Sequence, residues 1–229
     1  MVVAGHTAKW GTEKNAWTMN VEGAYSDVDA NTFSNLNDRN NQGFAIKANV
    51  KEKITRGKEG RAWLWELNTE NLSSTFSRIE RFREVEFERN WNVQTILRNG
   101  ESEWITEAKV SRQIDAGKHI TVSGAHYEIG NIFEANKAKV LVNTNVFERT
   151  KLQIDASALE TNGAIASSFI RQKAHLYREG KRFTFGIRDE QELNTFAVAQ
   201  QSYKFFDGEA YFRSTDTTHR AFKLFVRNR

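Results

Sequence analysis

The chain has 229 residues and contains neither cysteine nor proline. Without thiols there can be no disulfide, no thiolate metal site and no cysteine nucleophile. The missing proline says more. Loop-rich domains use proline in turns, whereas a dense hydrogen-bonded sheet has few positions that tolerate it. Also lacking is any apolar run near the ~20 residues that a membrane-crossing helix needs. The opening "MVVAGHTAKW" does not have the charged-then-apolar plan of a signal peptide, so an exported form is expected to be a mature chain or a segment. Charge of one sign is scarce too: 33 basic and 29 acidic residues are spread along the chain, for a net charge of +4. Nucleic-acid partners need lysine and arginine clustered on one face, and no such stripe is present, so none is expected. No Pro/Gly/Ser-rich linker or shift in composition divides the chain. It reads as a single all-β domain over 1–229, with a segment of a larger barrel as the other possibility.

What is abundant is alternation. Trp17, Met19, Val21, Gly23 and Tyr25 occupy every second position, opposite Thr18, Asn20 and Glu22. The same period-two pattern runs through Phe44, Ile46, Ala48 and Val50; through Trp91, Val93, Thr95 and Leu97; and through Trp104, Thr106, Ala108 and Val110. It continues with Ile120 and Val122, with Ala138 to Val146, with Leu152 to Ala158, and with Phe183, Phe185 and Ile187, ending at Phe222, Leu224 and Val226. Each reads as a two-faced strand. Asn99-Gly100, Ala116-Gly117, Gly130-Asn131, Asn162-Gly163, Glu179-Gly180 and Asp207-Gly208 supply residues suited to tight hairpins. Tight hairpins join antiparallel neighbours. The expected fold is therefore an antiparallel up-and-down meander of about 14 strands, allowing about 10 residues and a short turn for each.

Three features favour closure as an outer-membrane-type β-barrel. The apolar rows have the length of a tilted spanning strand of ~9–11 residues. Aromatic residues begin or end many of the rows: Trp17, Tyr25, Phe44, Trp91, Trp104, Phe183, Phe196 and Phe222. This is the arrangement of interfacial girdles. Closure also removes the two exposed edges of a long meander. The alternative is a soluble or surface-exposed β-sheet binding module, in which Trp63 and Trp65, on one strand face, would meet a ligand.

The stretch "SRIERFREVEFERNWNV" reads as strand because its helical stripe of Ile79, Phe82 and Val85 is weak. Glu84, Glu86 and Glu88 would then form a charged lumen ladder or pair with bases on a neighbouring strand, at roughly 0.2–1 kcal/mol per pair. "DANTFSNLNDRNNQGFAIKANV", followed by "FSRIERFREVEFERNWNV", resembles paired motifs in large β-rich outer-membrane or cell-surface proteins of Bacteroidota, over roughly residues 17–97. The resemblance implies an envelope location and a strand-dominated fold. It carries no catalytic residues.

Overlapping the start of that motif, Asp27, Asp29, Asn31, Asn35 and Asp38 fall at offsets similar to those of a calcium loop. However, Thr32 replaces the turn glycine, Asp38 stands where a bidentate glutamate is preferred, and the flanks read as strands. An ordinary long loop explains the same residues. Enzyme signatures are missing. The five histidines form no HExxH, and His119 and His126 are an odd number of positions apart, which puts them on opposite faces of one strand. There is no G-x-S-x-G elbow and no phosphate loop. Paired carboxylates about 6.8 Å apart, as among Glu84, Glu86 and Glu88, are common in so charged a chain.

The expectation is a non-enzymatic outer-membrane barrel without cofactor, acting as a pore, conduit or structural envelope element. Its partners would be outer-membrane lipid and an additional envelope protein or missing chain segment; cell surface or periplasm is the alternative location. Glu84, Glu86, Glu88, Lys109, Arg171, Lys173, Arg182 and Arg188 are the candidate lumen charges that would set ion preference.

Overall fold

A computed structural model of the chain describes residues 1–28, 41–56, 61–77, 83–93, 100–115, 117–163, 166–197, 202–215 and 221–229. Four strands precede a single helical turn: β1 (Val2–Gly11), β2 (Asn15–Asp27), β3 (Gln42–Thr55), β4 (Ala62–Leu72) and α1 (Phe87–Trp91). Eight strands follow: β5 (Glu103–Asp115), β6 (Lys118–Ile129), β7 (Phe133–Phe147), β8 (Thr150–Gly163), β9 (Ser167–Glu179), β10 (Phe183–Phe196), β11 (Tyr203–Ser214) and β12 (Lys223–Asn228). They form one antiparallel sheet in sequence order, with β1 and β12 as its two edges.

Alternation dictates this arrangement. On β7, Phe133, Ala135, Lys137, Lys139 and Leu141 share one face, while Glu134, Asn136, Ala138, Val140 and Val142 share the other. Consecutive hairpins then keep like faces together, because directly opposed residues point the same way. The turns use left-handed glycine where needed: Gly117 has φ 73° between β5 and β6, and Gly130 has φ 48° between β6 and β7.

The described residues contain twelve strands, where turn spacing predicts about fourteen. The strands are longer than that estimate allowed, ten to fifteen residues apart from the six of β12. Asp207-Gly208 is not a turn but lies within β11. Gly208 instead leaves room for the Phe206 ring, two positions away on the same face, which a side chain there would meet at 2.9 Å. At Trp91 the expected strand is also replaced, by α1; Thr95 and Leu97 of that expected strand lie outside the described residues. Phe87 and Trp91 are four residues apart, a spacing that puts both on one side of a strand and of a helix alike. Tertiary packing decides. Asn92 closes the turn in the left-handed region (φ 49°, ψ 32°), and Val93 N–H donates to the Glu88 carbonyl at 3.0 Å.

The packed core is small and off-centre. Phe87, Trp91 and Val93 bury themselves against Tyr127, Ile129, Phe133, Ala135, Leu159 and Phe169, at the end of the sheet that carries the longer connections. This cluster lies on the face that otherwise bears the charges. The opposite, apolar face is uncovered: Trp65 is 49 % exposed, Leu67 48 %, Val122 52 % and Ile187 61 %. The total accessible surface is 15723 Å². A compact soluble monomer of this mass exposes about 10,600 Å².

Candidate functional site: a two-faced sheet with a strap

On the uncovered face the strand registers align the aromatic residues. Trp17 is opposite Glu52, and Glu52 is opposite Trp65, so two strands on the row has reached Trp65, two positions from Trp63. The Trp63 row runs through Arg112, Ile120, Val142, Ile154 and Ala174 to Asp189, six strands on and six positions from Phe183. At the other end, the Trp104 row passes Asn71 to Ile46, two strands away and two positions from Phe44. All three intervals give the same drift in the same direction, one residue per strand. The row that starts at Trp17 reaches Phe206 nine strands later, at the opposite border of the band.

One residue, ~3.4 Å, per strand spacing, ~4.8 Å, is a tilt of roughly 35°. Strands close into barrels at about that tilt. Two aromatic lines follow, Trp17–Trp63–Phe183 at one border and Tyr25–Phe44–Trp104–Phe206 at the other. Trp17 and Tyr25 lie eight positions apart on β2, about 27 Å along the strand and about 22 Å in height at this tilt. Charged residues on this face obey the borders. Glu52, Arg112 and Arg178 lie within one residue of the first line, and Glu128, Glu134, Glu160 and Lys204 lie at or outside the second. Asp189 alone is inside, where Gln172 and Gln191 donate to its carboxylate at 3.0 and 3.1 Å.

The charged face is a lattice of polar pairs between neighbouring strands. Lys51 pairs with Glu66 at 3.3 Å, Lys139 with Asp155 at 3.1 Å, Lys151 with Glu179 at 2.9 Å and Lys223 with Glu209 at 2.7 Å. Asn20 donates to Asn49, and Asn49 to Glu66. Pairs this exposed contribute little stability each; their effect is to keep a charged face wettable.

Across this face, near the second aromatic line, runs a strap made of the described pieces 73–77 and 83–93. Its first piece hooks onto β2 and β3: Ser77 N–H donates to the buried Ser26 Oγ at 3.0 Å, and the Phe76 backbone occupies the space a side chain at Gly43 would need. The Arg83 guanidinium lies between Glu70 (2.6 Å) and Glu103, with the Tyr127 hydroxyl donating to Glu103 at 2.8 Å. Burial opposes the Arg83 charge, but Glu70 and Glu103 outweigh it and hold its pKa above the ordinary value. The guanidinium also stands 4.3 Å from the Phe87 ring centre. Farther along, Glu192 of β10 takes Arg89 at 2.9 Å and Arg171 at 3.0 Å. Asn92 donates to Ser167 and Asn194 at 3.0 and 2.9 Å, and Lys137 donates to the Asn90 carbonyl at 2.8 Å.

The residues singled out in the sequence fall into several places. Lys109, Arg171, Lys173 and Arg188 lie on the charged face, Lys173 paired with Glu190 at 2.5 Å. Arg182 is in the β9–β10 turn, where its carbonyl accepts Thr215 N–H. Glu84, Glu86 and Glu88 do not form a strand ladder. They sit on the strap, Glu86 and Glu84 exposed, because the local chain coils into α1. Trp63 and Trp65 share the uncovered face. Of the calcium-loop candidates only Asp27 falls within the described residues, accepting from the Tyr25 hydroxyl at 3.3 Å; Asp29, Asn31, Asn35 and Asp38 lie outside them. Among the described residues no group of three His, Cys, Asp or Glu side chains could hold a metal ion. Sequence reasoning missed Gly43, Arg83, Glu103, Glu192 and Asn194, whose roles exist only through long-range pairing. No protein-family model, curated protein or solved structure matches the chain.

Proposed function

We propose that the sheet closes edge to edge, β12 on β1, into a lipid-embedded barrel whose polar interior is a non-enzymatic conduit for small hydrated solutes across an outer membrane. The observation that carries this reading is the uncovered apolar band, about 22 Å high between two aromatic lines, with the facing charges within one residue of its borders or outside them in all but one case. Outer-membrane barrels present an apolar band ≈ 25 Å tall flanked by aromatic girdles. Twelve is an even number, so β1 and β12 run antiparallel as closure requires. Drift continued across the seam sets Leu224 opposite Ala4 and Val226 opposite Val2, apolar face to apolar face.

In this reading Lys109, Arg171, Lys173 and Arg188 line the lumen and, with the strap glutamates, bias which ions pass. Lipid is the partner of the outer face. A soluble binding module presenting Trp63 and Trp65 would leave the whole band in water, which the excess surface makes costly.

The test is folding in plain buffer against folding in detergent or lipid vesicles, followed by far-UV circular dichroism and heat-modifiable gel migration. Sheet signal and shifted migration only with lipid or detergent are expected. A monodisperse, cooperatively melting monomer in buffer refutes the proposal.

A further inference from the structure

We infer that the strap is the constriction of the conduit, the element that limits the size of the solute; this rests on the barrel reading above. At a tilt of roughly 35°, each strand occupies about 5.9 Å of circumference, so twelve give roughly 70 Å and a backbone diameter of about 22 Å. Inward side chains take about 5 Å from each wall, half the spacing of packed sheets, and leave about 12 Å. A helix with its side chains is about 10–12 Å across. One turn of helix on the inner face therefore occupies most of the opening.

The strap is also built to stay there. It is fastened at both sides of its course, to Ser26 of β2 and Glu70 of β4 on one side and to Glu192 and Asn194 of β10 on the other. Between these points Phe87 and Trp91 are buried at 8 % and 7 % exposure. Edge-on ring contacts to Tyr127 at 5.5 and 5.3 Å hold them against the wall. A tether across eight strand intervals does more than join β4 to β5, which hairpin turns accomplish elsewhere in two or three residues. Its crown, Glu84, Val85 and Glu86, points away from this packing, Val85 being 76 % exposed. The crown faces what remains of the opening.

The chain has no cysteine, so Val85→Cys supplies a unique thiol at a 76 % exposed position of the crown. The experiment measures single-channel conductance of this variant in planar bilayers before and after biotin-maleimide labelling, with the cysteine-free protein as control. Labelling is expected to lower the conductance of the variant at least threefold and to leave the control unchanged. Equal conductance before and after quantitative labelling, or a silent channel from protein that has inserted with shifted gel migration, overturns the inference and leaves the barrel standing. Failure to acquire sheet structure and shifted migration in lipid overturns the barrel reading, and the constriction with it.

Discussion

Arginine placed on the uncovered face measures the depth of each position. The line through Trp17, Trp63 and Phe183, carried along at one residue per strand, crosses β7 near Asn145 and β8 at Thr150. Val140 is then five positions inside it, Ile154 four and Thr144 one, or about 14, 11 and 3 Å at 3.4 Å per residue and a 35° tilt. The midplane of a 22 Å band lies at about 11 Å. Val140→Arg and Ile154→Arg, on different strands, should therefore each cost about 2–4 kcal/mol in a bilayer, and Thr144→Arg about 0–1 kcal/mol. Urea titrations of protein folded in lipid vesicles, followed by tryptophan fluorescence, give the three values. Equal costs at the three sites, or the largest cost at Thr144, would refute the drift and the band built on it. Indifference at Val140 and Ile154 would remove lipid as the medium of this face.

Other consequences are separately measurable. The double variant Ala4→Cys/Leu224→Cys should oxidise to an intramolecular disulfide in the lipid-folded monomer, because opposed strand residues lie ≈ 4.5–5.5 Å apart between Cα atoms, within disulfide reach. Ala4→Cys/Phe212→Cys, one strand farther from the seam, should not, and a crosslink found only between two molecules would replace closure by assembly. Gly43→Ala forces its methyl group into the Phe76 backbone and should cost about 1–3 kcal/mol. Limited proteolysis should show strap cleavage rising while the sheet signal is kept; unchanged cleavage would mean that the close approach is not needed. Glu103→Ala leaves buried Arg83 with less of its counter-charge. Urea midpoints should report a loss of about 3–5 kcal/mol, well above that of Lys151→Ala, whose partly exposed pair with Glu179 is worth at most about 1 kcal/mol.

Much of this fold is legible because side-chain direction in a strand is a local property. Met19, Val21 and Ile154 can be assigned to one face, and Asn20, Lys139 and Asp155 to the other, without knowing any partner strand. The antiparallel meander follows equally locally, from turns such as Gly117 and Gly130. The strap is not legible in the same local way. A spacing of four residues satisfies both periods, and alternating glutamates at 84, 86 and 88 imitate an exposed strand edge, so local reading had no means to find α1. Tyr127, Ile129 and Phe133, which stabilise the helix, are about forty residues away in sequence.

Register is the information that alternation cannot hold. A shift of two positions between neighbouring strands keeps every side chain on its correct face, yet it would move Trp63 away from the level of Trp17 and carry Arg112 three positions into the apolar band. The hydrogen-bonded pairs make that choice, and three separately measured aromatic intervals agree on one residue per strand. Over twelve strands the total drift is even, so the proposed closure would set the apolar face of β12 against the apolar face of β1; an odd total would set Leu224 against a position on the charged face such as Gly5. Asp189 is the informative exception. Inside the band and ligated by Gln172 and Gln191, it has two amide donors in place of water, and it lies nearer the second aromatic line, where the proposed barrel would bring polar headgroups within reach. Asp189→Asn should therefore leave lipid-dependent folding intact, whereas removal of both amides in Gln172→Leu/Gln191→Leu should weaken it, since the carboxylate then remains without donors.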